Sequence, residues 1–224
     1  MGWPRAVVFD LDGTLVDSAP ELARLLNKVL SECGRSEIEP ARVRGFVGDG
    51  VARLVERGFA ETGTATAEEC RRATERFLAC YEAEPAALTR PYLGVVDTLA
   101  RLEREGRRLA ICTNKAERVT HALLKALGID VFFSAVIGGD TLPVRKPDPA
   151  PLLAAIRRLD LTETDAVMIG DNEHDAATAE AAGVPFVLVA YGYARVPLSQ
   201  LRADATVERF EEIPEALARV AATR

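Results

Sequence analysis

Short runs of consecutive apolar residues recur along the chain: Ala6-Val7-Val8-Phe9, Leu109-Ala110-Ile111-Cys112, Ala135-Val136-Ile137, Ala166-Val167-Met168-Ile169 and Phe186-Val187-Leu188-Val189. They are too short for helices, and continuous rather than alternating hydrophobicity predicts strands buried on both faces. From Gly94 onward they alternate with apolar residues at helical spacing. One such segment ends over Leu99 to Glu105; the others are Val119 to Leu127, stopped by Gly128, Leu152 to Leu159, and Ala176 to Ala182, stopped by Gly183. Strand and helix in alternation predict an α/β fold, a doubly wound parallel sheet covered on both faces.

Residues from about 20 to 85 break this pattern, because helical stripes replace strands. Leu22, Leu25, Leu26, Val29 and Leu30 form one stripe, and Val51, Leu54, Val55 and Phe59 another; Glu68 to Tyr81 reads as a third helix. The pattern predicts an all-helical unit over residues 17–87, inserted into an α/β core of residues 1–16 and 88–224. Between its helices, Gly45-Phe46-Val47-Gly48-Asp49-Gly50 is either a tight loop with exposed amides or a plain helix connection.

In a parallel sheet, ligands bind outside the carboxyl ends of the strands, so the residues after each strand come next. Asp10 and Asp12 follow the first strand, two apart and so able to converge, with Gly13 turning the backbone away. Like charges that close call for a cation or a raised pKa; the alternative is a solvated acidic turn. Thr113-Asn114-Lys115 follows the second strand, and there Thr113 is either a helix cap or a hydroxyl facing a ligand. Lys146 lies in the loop Arg145-Lys146-Pro147-Asp148-Pro149, where Asp148 and Pro149 suit the N-cap and first turn of a helix. Only four of the 28 basic residues are lysines, so a lysine between prolines suggests a compact point charge; an ordinary surface lysine is the other reading. Gly170-Asp171-Asn172-Glu173-His174-Asp175 again sets carboxylates at a strand end. Asp171 stands where Asp10 does, and if those strands are neighbours, Asp10, Asp12 and Asp171 make an all-oxygen cluster suited to Mg²⁺. Asp175 is either part of it or a helix-dipole partner, and His174 reads as an exposed helix residue.

Composition narrows the chemistry. With 224 residues, a net charge of −6 and 48% hydrophobic content, the chain suits an ordinary soluble protein and not a nucleic-acid-binding surface. Cys33, Cys70, Cys80 and Cys112 lack metal or redox spacing, and two histidines leave little room for histidine chemistry. No apolar run approaches a membrane span and no cleavable leader is evident, so the expected location is cytoplasmic, as a monomer or homodimer.

The stretches DLDGTLVDS, the Thr-Asn after the second strand, KPDP and GDNEHD, in this order and at these strand positions, resemble the haloacid dehalogenase-like hydrolases over nearly the whole chain. That superfamily comprises aspartate-nucleophile phosphatases. The helical insertion resembles its cap of the type placed after the first motif; GFVGDGV and Val189-Ala190-Tyr191-Gly192-Tyr193 resemble phosphoglycolate phosphatases. The resemblance implies Asp10 as nucleophile and Asp12 as general acid and base. Mg²⁺ would be held by Asp10, the Asp12 carbonyl and Asp171, with Asp175 orienting Lys146 or a metal-bound water. Thr113, Lys146 and the amides of Leu11 and Asn114 would bind phosphate, while Gly48, Asp49, Gly50 and Arg53 of the cap would face a small phosphorylated metabolite such as 2-phosphoglycolate. Arg53 as an exposed helix arginine is the competing reading. Two alternatives remain open: a sugar-phosphate phosphatase or phosphomutase of the same superfamily, and a phospho-aspartate signalling module, which would be shorter and would not need Asp12 for proton transfer.

Overall fold

Strand β1 (Ala6–Phe9) is wholly buried, and the computed structural model, which describes residues 2–223, places it in the middle of a six-stranded parallel sheet. The elements that follow are β2 (Val16–Asp17), α1 (Ala19–Glu32), α2 (Pro40–Arg44), α3 (Val51–Glu61), α4 (Ala67–Ala83) and β3 (Arg90–Pro91). Then come α5 (Val95–Arg104), β4 (Arg108–Cys112), α6 (Glu117–Leu127), β5 (Phe133–Ile137) and α7 (Ala150–Arg158). The chain closes with β6 (Ala166–Gly170), α8 (Glu173–Ala182), β7 (Phe186–Val189), β8 (Ala205–Val207) and α9 (Ile213–Ala222).

The strand order is β5-β4-β1-β6-β7-β8, so β1 pairs in parallel with β4 on one side and β6 on the other, and the order reverses at β1. Side chains alternate across the sheet with period two. Val7, Phe9, Leu109, Ile111, Val167 and Ile169 enter one core, against residues of α5, α6 and α9 such as Leu99, Leu123 and Leu217. Val8, Ala110, Cys112, Met168 and Leu188 enter the other, with Leu152 and Ile156 of α7 and Ala179 of α8. Two full cores explain why the strands read as continuous apolar runs.

Helices α1, α3 and α4 pack through a separate hydrophobic cluster that includes Leu26, Val55, Phe59, Phe77 and Tyr81. The chain enters and leaves this helical unit side by side, since β2 and β3 pair antiparallel through Val16 with Pro91 and Asp17 with Arg90. Among the described residues no helix is long and apolar enough to cross a membrane. The helix after the proline loop starts at Ala150, one residue later than its sequence suggests, yet Asp148 still caps it by accepting the Ala150 N–H at 2.8 Å.

Candidate active site

Because β1 and β6 are neighbours, the residues that end them meet. Asp10 N donates to Ile169 O at 2.9 Å, which carries Asp10 to the lip of the sheet beside Asp171. One carboxylate oxygen from each of Asp10, Asp171 and Asp175 lies within 4.8 Å of the others, and all three residues are buried. Lys146 Nζ donates to Asp175 Oδ1 at 2.6 Å and lies 2.8 Å from Asp10 Oδ1. The second contact is out of line for a hydrogen bond, so Asp10 Oδ1 is buried without a hydrogen-bond donor. Asp175 is fully engaged, since its Oδ2 accepts the N–H groups of Asp171 at 3.0 Å and Asn172 at 3.3 Å.

Asp171 is fixed from three sides. Its Oδ1 accepts from Thr14 Oγ1 at 3.0 Å and Asn172 Nδ2 at 3.2 Å, and its Oδ2 accepts the Tyr193 N–H at 2.6 Å. Backbone crowds this carboxylate closely enough to demand glycine. A Cβ on Gly13, where φ is +90°, would lie 2.5 Å from Asp171 Oδ2, and one on Gly192 would lie 2.2 Å from Asp171 Cβ.

The electrostatics follow from burial. Loss of solvent pushes the Asp10 carboxyl up to about 6 despite the opposing pull of Lys146. Burial and the neighbouring Asp175 and Asp10 charges push Asp171 well above the usual carboxylate range. Burial disfavours the charged Lys146, but Asp10 and Asp175 outweigh it and hold the ammonium more firmly protonated than a free lysine. The cluster thus carries more carboxylates than one lysine balances, and its donors are all oxygens, including Asp10 Oδ1, which makes no hydrogen bond. Those properties fit a hard divalent cation.

Thr113 and Asn114 complete the base of the site. The Thr113 N–H donates to Ile137 O at 3.0 Å, its hydroxyl accepts the Lys115 N–H at 3.3 Å, and Asn114 Nδ2 donates to Gly48 O at 2.9 Å and Lys146 O at 3.1 Å. Asn114 therefore ties the helical unit to the Lys146 loop. The Leu11 carbonyl accepts the N–H groups of Leu15 at 2.9 Å and Val16 at 3.1 Å, shaping the turn that carries Asp12. Asp12 itself accepts from Lys115 Nζ through both oxygens, at 3.1 and 3.0 Å.

Above these residues the helical unit contributes Leu22, Val47, Gly48, Gly50, Val51 and Leu54, which leave a cavity of only ≈ 30 Å³ over Asp10 and Asp12. Asn114 Nδ2, donating to Gly48 O at the edge of this cavity, fixes the helical unit down on the core. Gly48 and Gly50 face the cavity; Asp49 does not. Its carboxylate turns to the rim, where it meets Arg57 at 2.6 Å, His174 Nε2 at 2.6 Å and the Arg195 guanidinium. His174 is consequently not the exposed helix residue its sequence suggests, for the closed loop covers it and leaves its side chain 18% exposed. Arg53 points away from the site, 64% exposed and paired with Glu56 at 2.6 Å.

Two functional-looking residues are absent from the sequence-level set. Lys115 is buried beside Asp12, and the scarcity of lysine that singled out Lys146 applied equally to it. Tyr193 lies in a stretch already noted, but its hydroxyl donates to Asp17 Oδ1 at 2.6 Å and accepts from the N–H groups of Ser18 at 2.9 Å and Ala19 at 3.1 Å. It thereby caps α1, whose N-cap Ser18 makes no side-chain bond of its own. No sequence pattern signals a cap supplied from so far along the chain.

A sequence profile described as haloacid dehalogenase-like hydrolase matches residues 7–189. The chain is 45% identical over 215 residues to a phosphoglycolate phosphatase of Rhodospirillum rubrum, covering 94% of this chain and 89% of that protein. It is 43% identical over 219 residues to one of Cereibacter sphaeroides, covering 96% and 99%. In structure it superposes with a TM-score of 0.89 and 31% identity on a predicted phosphoglycolate phosphatase of Haemophilus somnus, covering 94% of this chain and 96% of the other. The chain therefore belongs to the haloacid dehalogenase-like hydrolases. Within that family it is a phosphatase of the phosphoglycolate phosphatase-like group.

Proposed function

We propose that the chain hydrolyses 2-phosphoglycolate to glycolate and phosphate through a phosphorylated Asp10, with Mg²⁺ at the buried carboxylates. The observation that carries the reading is Asp10 Oδ1, a buried carboxylate oxygen that makes no hydrogen bond and lies 2.8 Å from the Lys146 ammonium, in a residue lining the cavity beneath the helical unit. The carboxylates of Asp10 and Asp171 and the main-chain carbonyl of Asp12 would hold the ion. Bound there, it supplies the positive charge that lets a carboxylate meet a phosphate dianion.

An oxygen of Asp10 attacks phosphorus, forming an acyl phosphate as the bond to the glycolate oxygen breaks. Asp12 protonates the departing alkoxide and then takes a proton from the water that cleaves the acyl phosphate, which restores both aspartates. Lys146 neutralises charge on Asp10 and the phosphoryl group; Asp175 acts by holding Lys146. Thr113 and the amides of Leu11 and Asn114 hold the phosphoryl oxygens in the transition state. Residues 17–87 act as the cap, which lies over Asp10 and Asp12 through Val47, Gly48, Gly50 and Leu54 and excludes water from the reaction. The substrate choice is supported by the relatives' activity and by the start of α3 at Gly50, which has no side-chain cap and faces the cavity, a setting that favours an anionic leaving group. The four free cysteines are consistent with a reducing, cytoplasmic setting.

Purified protein with Mg²⁺ should hydrolyse 2-phosphoglycolate at least tenfold more efficiently than sugar phosphates or nucleotides. Equal efficiencies across such a panel would contradict the substrate assignment.

A further inference from the structure

The cavity must receive whatever the phosphoryl group is attached to, and its walls are unequal. The cap side is apolar, through Leu22, Val47, Val51 and Leu54. A leaving group that ends in a carboxylate would bury its charge among these side chains, with the α3 N-terminus at Gly50 alone to meet it unless a cation does. The nearby cations are mostly committed. Lys146 lies between Asp10 and Asp175. Arg57 and Arg195 hold Asp49 at the rim, Arg53 faces outward to Glu56, and Arg145 donates to the Asp49 carbonyl at 3.1 Å.

Lys115 differs from all of these. It lines the cavity, is 5% exposed, and sits with its ammonium 4.5 Å from the centre of the Tyr81 ring of α4. An ammonium carries three N–H donors. Asp12 engages at most two of them, and the third has the neutral Tyr81 hydroxyl beside it, a partner that a substrate carboxylate outcompetes. The reach is also right. Asp12 must contact the ester oxygen to protonate it, and the carboxyl carbon of glycolate is two bonds from that oxygen. A cation 3.0 Å from Asp12 therefore stands beside the place the substrate carboxylate must occupy.

We propose that Lys115 is the specificity-determining residue for the leaving group, sharing its ammonium between Asp12 and the carboxylate of the substrate. The inference rests on the phosphoglycolate reading above and adds the side chain that enforces it. Tyr81 belongs to the cap, so the complete subsite, with an aromatic face behind the ammonium, exists only when the cap is closed.

The test compares 2-phosphoglycolate with ethyl phosphate, which lacks the carboxylate, in wild type, Lys115→Met and Lys115→Arg. Removing Lys115 should lower kcat/KM for both, because Asp12 loses its partner. For 2-phosphoglycolate the fall should be about a hundredfold larger, with KM carrying much of it, and Lys115→Arg should keep most of the preference. An equal fall on both substrates would overturn the proposal and leave Lys115 as a positioning residue for Asp12 alone. Failure of the broader reading looks different, since wild type itself would then show no preference for 2-phosphoglycolate. Should Lys115→Met not fold, wild type labelled at lysine ¹⁵Nζ answers the same question, with only four lysine signals to assign. In the presence of Mg²⁺ and inorganic phosphate, glycolate should shift the Lys115 signal where ethanol does not, and no difference between the two would overturn the proposal.

Discussion

The charge imbalance at the buried carboxylates predicts that Asp10 destabilises the metal-free protein. Asp10 is only 5% exposed, and burial raises its carboxyl to about 6 from an ordinary 3.8. A shift of about two pH units corresponds to roughly 3 kcal/mol between the protonated and ionised forms. The raised value means that the folded state keeps a proton the unfolded chain has already released. Below pH 3.8 Asp10 has no such effect; between 3.8 and about 6 stability falls as pH rises, and above about 6 the whole penalty is present. Asp10→Asn, which cannot ionise, should therefore raise the melting temperature in EDTA at pH 7.5. For a chain of this length ~3 kcal/mol corresponds to about 5–10 °C. At pH 4 the gain should nearly vanish. Mg²⁺ should stabilise wild type far more than the variant, by about 2.7 kcal/mol at a hundred times its Kd. Scanning calorimetry with EDTA or Mg²⁺ at the two pH values reads all of this. An Asp10→Asn protein no more stable than wild type at pH 7.5 without metal would refute the reasoning.

Tyr193→Phe removes a hydroxyl that accepts two buried N–H groups and pairs with Asp17, so it should cost about 2–3 kcal/mol, read as a lower melting temperature; a loss below about 0.5 kcal/mol would show that water replaces it. Asp49→Ala breaks the cluster that joins the cap loop to His174 and Arg195, so amides of residues 46–55 should exchange with deuterium at least tenfold faster. Burial would push Asp49 up, but Arg195 and Arg57 hold it well below the usual carboxylate range, so its contribution is present above about pH 4 and lost only on further acidification; wild-type exchange protection that disappeared between pH 7 and 5 would contradict this.

Much of the geometry of the candidate site is legible in the sequence because it is local. Asp10, Thr113 and Asp171 each follow a continuous apolar strand, and a parallel sheet gathers such positions at one edge. The unread parts are those that depend on chain closure. Lys115 meets Asp12, and Tyr193 caps α1, across sequence separations that no period encodes. The pairing of β2 with β3 is two residues long and leaves no hydrophobic signature. The weak edge strand β8 is only three residues. Asp49 reads in the sequence as facing substrate together with Gly48 and Gly50, whereas its carboxylate pairs with Arg57, His174 and Arg195 at the rim, contacts that no local pattern encodes.

Transfer of the phosphoryl group to Asp10 leaves a covalent trace. Enzyme quenched with acid during turnover of ³²P-labelled 2-phosphoglycolate should carry hydroxylamine-sensitive label on the peptide containing Asp10, and Asp10→Asn should carry none and turn over at least a thousandfold more slowly. Unlabelled wild-type protein, together with an Asp10→Asn variant of near-normal turnover, would contradict it.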